Sequence, residues 1–421
     1  MSPFGLRFSR CSMVVARRKA LVCSLTALTV IAVCKAQFVF GAEPTRTQLF
    51  SEIANLVETE FYDVNRAVAF RKVAERYRAR AQAASTDRAF SRLINQMLAE
   101  LSASHTRYLT PSVPAYYQLA DIFSALPHVR DQFNDQEIEY VSVGILTEEI
   151  DDRYFVTSVL AGGPAVEAGV LAGDEIVAVS NRPYDEMQIF PGLAGQEIPV
   201  QLRRYTDAPL LELTVLPQMV RPNDEFLAAE RNSVRIFERG NRRIGYIHIW
   251  SYAGSNSQKT FLQALAGDLK SADALIWDLR DGWGGADPSY LNVFNRSVPV
   301  ISMQDRDGKE MLFNTQWRKP VVMLINERVR SGKEVLAYAF KKYSIGKVIG
   351  SQTAGAVLGG KLFFLSDKSL LYLAVKNAQV DGEKLEGAGV TPDINVPRDI
   401  RYAAGKDLQL QEAIDYFSRK L

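Results

Sequence analysis

The stretch "VRSGKEVLAYAFKKY", residues 329–343, comes just after the apolar run "PVVMLIN" of residues 320–326. The run has the length and composition of a buried strand, and "EVLAYAFKKY" carries apolar residues at helical spacing. The junction therefore reads strand, turn, helix, with Ser331 at the mouth of the helix. Ser331 and Glu334 match a capping box, in which the serine hydroxyl and the glutamate satisfy free backbone N–H groups. A serine at that place also has N–H donors and the positive end of a helix dipole beside it, which suits a nucleophile. Cap and nucleophile are both open readings of Ser331 at this point.

Residues 223–421 repeat the alternation. "RRIGYIHIWSY" reads as a strand, "SQKTFLQALAGDL" as a helix, "ADALIWDLR" as a buried strand, and "KVIGS" and "KLFFLSDKSLLYLAV" return to strand after the helix. That order implies an α/β layered core. In open sheets of this kind ligands sit beyond the carboxyl ends of the strands, where "DLRDGWGG" (278–285) and "NERVRSG" (326–332) both emerge.

Toward the N-terminus, residues 137–219 hold short strands such as "YVSVGILTEE", "DRYFVTSVL" and "IPVQLRRYT" around the glycine-punctuated "AGGPAVEAGVLAGDEIV". Residues 45–119 carry three stretches with helical periodicity, the third capped by Thr86 or Asp87. This small helical domain ends in the loop-like "SASHTRYLTPS". Residues 120–136, within "YQLADIFSALPHVRDQFNDQ", read as a linker or lid.

Residues 1–42 read as an export signal rather than as fold. Arg7, Arg10, Arg17, Arg18 and Lys19 precede "ALVCSLTALTVIAVC" and the small residues near Ala42. The expectation is an exported protein, periplasmic or extracellular, with anchoring to a membrane through this segment if it is retained. The run is short for a spanning helix.

Composition narrows the chemistry. The chain has 421 residues, 47% of them apolar, and a formal charge of +2. That is enough for two or three cores, with no basic stripe to suit a nucleic acid. All three cysteines, Cys11, Cys23 and Cys34, fall in the N-terminal segment, so the remainder has neither disulfide nor thiol. Only His105, His128 and His248 are present, without a metal-ligand spacing, and no phosphate-binding loop occurs. No metal or other cofactor is expected.

Two resemblances sharpen this reading. Gly163, Pro164, Ala165, Ala168, Gly169, Val170, Gly173, Asp174 and Ile176 resemble the helix and turn of a bacterial PDZ domain. Such domains take an extended peptide as an added strand and hold its terminal carboxylate with backbone N–H groups. The resemblance implies a peptide-binding loop at Val143, Gly144 and Ile145, and substrates with a free C-terminus.

Asp278, Leu279, Arg280, Asp281, Gly284 and Gly285, with Asn326, Glu327, Ser331 and Glu334, resemble the tail-specific (C-terminal-processing) serine peptidases. The likeness runs over nearly the whole chain after the signal. It implies a multidomain protein: an N-terminal helical cap, a PDZ-like β domain and an α/β layered, crotonase/ClpP-like catalytic core.

By that resemblance Ser331 is the nucleophile of an exported endopeptidase. Many members use a lysine base from a "T-x-G-K" stretch, but here "QTAGAVLGG" puts Ala356 at the lysine's place. Lys333 and Lys361 are nearby in sequence, but Lys333, two residues past Ser331 on the helix, would point to another face and reads as a solvated lysine. The histidine branch, typified by the tricorn core protease, is matched instead by Ser104 and His105 in "SASHTRYLTP" and by Glu386 in "KLEGAGVTPD", with Glu383 a rival acid. The resemblance implies His105 as base, Glu386 as its orienting acid, directly or through Ser104, and Gly332, Gly284 and Gly285 as oxyanion donors. An inactive relative that only binds peptides, or an envelope scaffold, is the competing expectation. Substrate identity and oligomeric state are not legible.

Overall fold

In the computed structural model, the structure describes residues 44–185, 190, 192–314 and 316–420. The expected export signal lies outside the described residues.

The strand "ALIWD" at Ala274–Asp278 is buried along its whole length, because helices cover both faces of the sheet it belongs to. The sheet has six strands in the order 235–239, 242–248, 274–278, 321–325, 347–350 and 394–395. The first two form an antiparallel hairpin and the rest pair in parallel. Parallel strands buried on both faces read as unbroken apolar runs, as "ALIWD" and "VVMLI" do. On one face the helices Asn256–Ala266 and Gly332–Lys342 enclose Trp277, which stacks on Phe261 with ring centroids 5.0 Å apart. On the other, Ala413, Ile414 and Phe417 of the helix Leu408–Lys420 pack against Ile276, Val322 and Leu324.

A buried ion network ties that last helix to the sheet. Arg280 bonds Asp278 at 2.6 Å through one terminal nitrogen and Asp407 at 2.7 Å and 2.8 Å. Burial alone would raise the Asp278 carboxyl, but the Arg280 guanidinium outweighs it and holds the group well below the usual carboxylate range.

The expected helical region comprises Arg46–Glu60, Val64–Gln82 and Asp87–Ala99. Each helix begins at a side-chain cap: Thr45 with Gln48 in a capping box, Asp63 to the Arg66 N–H, and Thr86 to the Ala89 N–H. Their apolar faces close over Leu371, Leu373 and Ala374 of a hairpin, Gly359–Phe364 with Leu370–Lys376. That hairpin is the stretch "KLFFLSDKSLLYLAV", read as strand in the sequence and found as an antiparallel pair. It turns over residues 366–369 and stands outside the main sheet, taking Arg107–Leu109 as a third strand. The "SASH" loop thus leads into a short strand clamped against the core, rather than ending an independent domain.

The stretch read as a linker or lid forms two short helices, Pro114–Ile122 and Pro127–Gln132, each started by proline at its first position. Leu119, Ala120 and Val129 pack on Leu362 and Leu370 of the hairpin, so the segment is a wall. Residues 145–215 build an antiparallel sheet in the order 145–150, 153–159, 175–179, 198–203 and 211–215, with the helix Pro164–Glu167 against it. The pair 140–142 and 218–220 closes its neck.

Candidate active site

Ser331 precedes the helix Gly332–Lys342 with φ 56° and ψ −131°, a backbone conformation costly for any residue with a Cβ. Its hydroxyl makes no capping hydrogen bond. Glu334, the other half of the expected box, turns to the Thr353 hydroxyl and to the N–H groups of Gly355 and Ala356. Its carboxylate thereby fixes the loop 353–356 whose Ala356 carbonyl accepts the Ser331 N–H at 2.7 Å. Strain held in place by such bonds leaves Ser331 bordering open space, with its hydroxyl not engaged in capping the helix.

That space is a cleft of about 410 Å³, lined among others by Ser331, His105, Ser104, Ala356, Gly284 and Gly285. Ser331 comes from the core, and His105 from the "SASH" loop delivered by the strand 107–109. The Ser104 hydroxyl donates to Glu386 Oε2 at 2.9 Å and lies 2.9 Å from His105 Nδ1. Glu386 also accepts the Ser104 N–H at 2.8 Å and the Val357 N–H at 3.0 Å. A hydroxyl has one proton to give. With that proton directed at the carboxylate, the serine oxygen accepts from Nδ1–H, and the other imidazole nitrogen carries a lone pair.

Burial pushes the His105 imidazole down to about 4, and the nearby Arg330 cation adds to this, against Glu386 pulling the other way. The ring is therefore neutral near pH 7, the state a base must start from. Tyr372 lies against it at 5.3 Å between centroids.

Two glycine turns meet at Ser331. A Cβ on Gly284 would sit 2.5 Å from the Ser331 Cβ, and one on Gly332 would sit 2.4 Å from the Ala286 nitrogen. Only residues without side chains allow this approach. Among the described residues, no acceptor is assigned to the N–H groups of Gly284, Gly285 or Gly332. They are donors in reserve beside the serine.

The two lysines behave differently. Lys361 is half-exposed beside Glu60 at 3.3 Å. Lys333 corrects the reading: it is fully buried, not solvated. Its ammonium donates to the carbonyls of Ile249, Trp250 and Asp281 at 2.7, 2.9 and 3.0 Å. An ammonium has three donors, and all three are spent away from Ser331. Glu383 sits in an exposed turn bridged to Val380, leaving Glu386 as the acid at the cleft.

The expected peptide loop is only partly free. The Val143 carbonyl accepts the Ala165 N–H at 2.9 Å, and the Gly144 N–H donates to the Ser142 hydroxyl at 3.0 Å, which in turn donates to Glu225. Ile145 opens the strand 145–150, an edge of its sheet among the described residues. It borders a groove of about 420 Å³ that shares Arg107, Trp283 and Arg330 with the serine cleft. These three cleft residues were missed in the sequence. Arg330 and Arg107 flank Ser331 and His105 too closely to have been separated from turn residues by pattern alone.

The family model for peptidase family S41 matches residues 243–396, and that for the tricorn protease C1 domain matches residues 42–99. Over residues 243–396 the chain is similar to the serine peptidases of family S41. The S41 match contains Ser331 and Glu386, while the C1 match ends just before Ser104 and His105.

Among relatives, the chloroplastic carboxyl-terminal-processing peptidase 2 of Arabidopsis thaliana is 28% identical over 264 residues, 58% of this chain and 50% of the relative. Tricorn protease homolog 1 of Streptomyces coelicolor is 26% identical over 384 residues, 87% of this chain and 34% of the relative. The chain thus spans half or less of these two relatives. The crystal structure of the tricorn protease superposes with a TM-score of 0.53 at 19% identity, covering 89% of this chain and 36% of that one. The likeness of fold extends beyond the residues of the S41 match.

Among the described residues, no helix is long and apolar enough to cross a membrane, and no group of three or more His, Cys, Asp or Glu is arranged to hold a metal ion.

Proposed function

We propose that this protein is an exported serine endopeptidase in which Ser331 attacks the scissile carbonyl and His105 takes its proton. The observation that carries the proposal is the unbroken hydrogen-bonded path from Glu386 through Ser104 to His105, ending in the cleft that holds Ser331. Glu386 and Ser104 fix the tautomer and balance the imidazolium that forms; the imidazolium then protonates the leaving amine. Gly332 with Gly284 or Gly285 supplies N–H donors to the tetrahedral oxyanion. Water repeats the cycle on the acyl-enzyme.

The unit 137–219 serves as a PDZ-type receptor for the substrate's C-terminal end, with the strand 145–150 as the edge to which the peptide adds. The shared boundary of groove and cleft at Arg107, Trp283 and Arg330 supports this, because a strand laid along the groove continues toward Ser331. The Gly144 N–H is already engaged, so the carboxylate is held by other N–H groups of the loop or by displacing Ser142. Export rests on the basic and apolar N-terminal segment.

The test is product analysis by mass spectrometry on an unstructured peptide offered as free acid and as amide. The free acid should be cleaved internally, the amide more weakly through a raised KM, and neither by Ser331→Ala. Equal handling of acid and amide contradicts the receptor role. No cleavage of either contradicts the peptidase reading.

A further inference from the structure

The fully buried Lys333 is used by no step of the mechanism, yet it lies two residues beyond Ser331 on the first turn of the same helix. A buried cation is costly unless its donors are filled. Here the three carbonyls of Ile249, Trp250 and Asp281 fill them. Those carbonyls belong to two separate segments: the chain leaving the strand 242–248, and the turn that runs on to Gly284 and Gly285.

The same two segments meet again next to the clamp. The Trp250 carbonyl accepts the Trp283 N–H at 2.8 Å, and the Tyr252 N–H donates to the Gly284 carbonyl at 3.0 Å. A Cβ on Gly282 would fall 1.9 Å from the Trp250 carbonyl oxygen, so the turn is pressed flat against that segment. Gly284 in turn rests against Ser331. The Asp281 N–H and carboxylate are held by Asn326 at 3.2 and 3.1 Å and by the Ser158 hydroxyl at 2.6 Å, and the Trp283 indole by Gln118 at 3.0 Å, while the Asp281 carbonyl, where the turn leaves toward Gly284, is held by Lys333.

Resting on the serine-peptidase reading of the site, we propose that the Lys333 ammonium is a positioning group that clamps the turn 281–285 onto residues 249–250, so that the glycine N–H donors stay aimed at the oxyanion. Lys333 touches no substrate atom in this role. It acts through the turn, and its effect belongs in kcat rather than in KM.

The charge on Lys333 is adjustable. Burial lowers its ammonium to about 7, against Glu230, Asp281 and Asp278, which favour the charged form; Arg330 lowers it further. His248 also faces it from the strand 242–248. Glu230, on the helix Pro222–Ser233, is itself raised to about 7 by burial and accepts the Trp250 and Ser251 N–H groups at 3.2 Å. Loss of the Lys333 proton removes one of three donors and sets a lone pair against a carbonyl. Turnover should therefore decline on the alkaline side.

Lys333→Met, similar in length and without donors, tests the clamp. In a folded variant kcat should fall on the order of 10²-fold, as when one oxyanion donor is lost, with KM within about twofold. Affinity for a peptidyl trifluoromethyl ketone, which forms a tetrahedral adduct with the serine, should fall in parallel. Amide exchange at Trp283 should quicken while the rest of the sheet keeps its protection, a readout independent of turnover. A folded Lys333→Met with parental kcat, ketone affinity and Trp283 exchange overturns the clamp. If Lys333→Met does not fold, Glu230→Gln decides: removing the carboxylate that favours the charged form should move the alkaline limb of kcat to lower pH, and an unmoved limb overturns the proposal. A parent that neither turns over nor binds the ketone contradicts the peptidase reading instead, and Trp283 exchange then judges the clamp by itself.

Discussion

The Ser104 hydroxyl stands between His105 and Glu386, 2.9 Å from the imidazole Nδ1 and 2.9 Å from the carboxylate Oε2. The acid thus reaches the base through a neutral relay rather than by direct contact. The relay fixes which nitrogen carries the proton but transmits charge balance less strongly than a touching carboxylate would.

Glu386→Gln should accordingly lower kcat by less than the ~10⁴-fold seen where a carboxylate contacts the histidine directly. Ser104→Ala should cost a similar amount, and the double variant little more than either single one, because the two act as a unit. Steady-state kinetics on the three variants checks this. Losses that add as independent factors would contradict the relay.

His105 sets the acid limb of activity. An unperturbed imidazole titrates near ~6.5, but burial and then Arg330 bring this one down to about 4. The neutral base persists above its pKa and is lost as pH falls through it. The free-enzyme profile, kcat/KM against pH, should stay level from pH 7 to near 5 and fall around 4. Arg330→Met removes the cation that depresses the imidazole, so its limb should move to higher pH. A parental limb at 6.5, or one that Arg330→Met leaves in place, would show that the site's electrostatics are otherwise.

Gly284→Ala brings a Cβ to 2.5 Å from the Ser331 Cβ and 2.9 Å from the Arg330 carbonyl oxygen. Neither can withdraw without moving the nucleophile. The expected outcome is a kcat loss of roughly 10²–10³-fold, the size of a lost oxyanion donor, with the global fold retained by circular dichroism. Full activity in Gly284→Ala would mean that the turn has slack the structure does not indicate.

Arg280→Met leaves Asp278 buried without its cation and frees Asp407 at the start of the last helix. Breaking a buried pair on one side costs about 3–5 kcal/mol, and urea unfolding should show a loss of that order. Both carboxyls are held below their ordinary range in the parent by Arg280, despite burial pushing the other way. Their contribution is present above the unfolded pKa of ~3.9 and is lost as pH falls below it. Parental acid sensitivity should therefore be blunted in Arg280→Met; an unchanged stability would contradict the network's role.

Much of this was legible in the sequence because it is carried by local pattern. The buried strands announce themselves as apolar runs, the three N-terminal helices by their apolar spacing, and the strand–turn–helix at Ser331 by the residues around it. Ser104, His105 and Glu386 were reached only through family likeness, since nothing in their spacing says that residues 282 positions apart share a hydrogen bond. Lys333 was misread for a related reason. A lysine in a polar turn is ordinarily solvated, and only the convergence of three carbonyls from distant segments reveals a buried seat. The stretch 361–375 was read as strand without its turn being placed, because "SDKS" interrupts an apolar run without a glycine or proline. The helices 114–132 were hidden by their brevity, and their burial depends on the hairpin beneath them.

The central claim, that Ser331 is a nucleophile activated by His105, is tested most directly by the rate at which a fluorophosphonate probe labels the protein, with the adduct located by mass spectrometry. The account predicts a single adduct on Ser331, with labelling slowed by several orders of magnitude in folded His105→Ala and left near the parental rate in Lys361→Ala. Labelling of Ser331 at the parental rate in His105→Ala, or an adduct on another serine with Ser331 untouched, would contradict it.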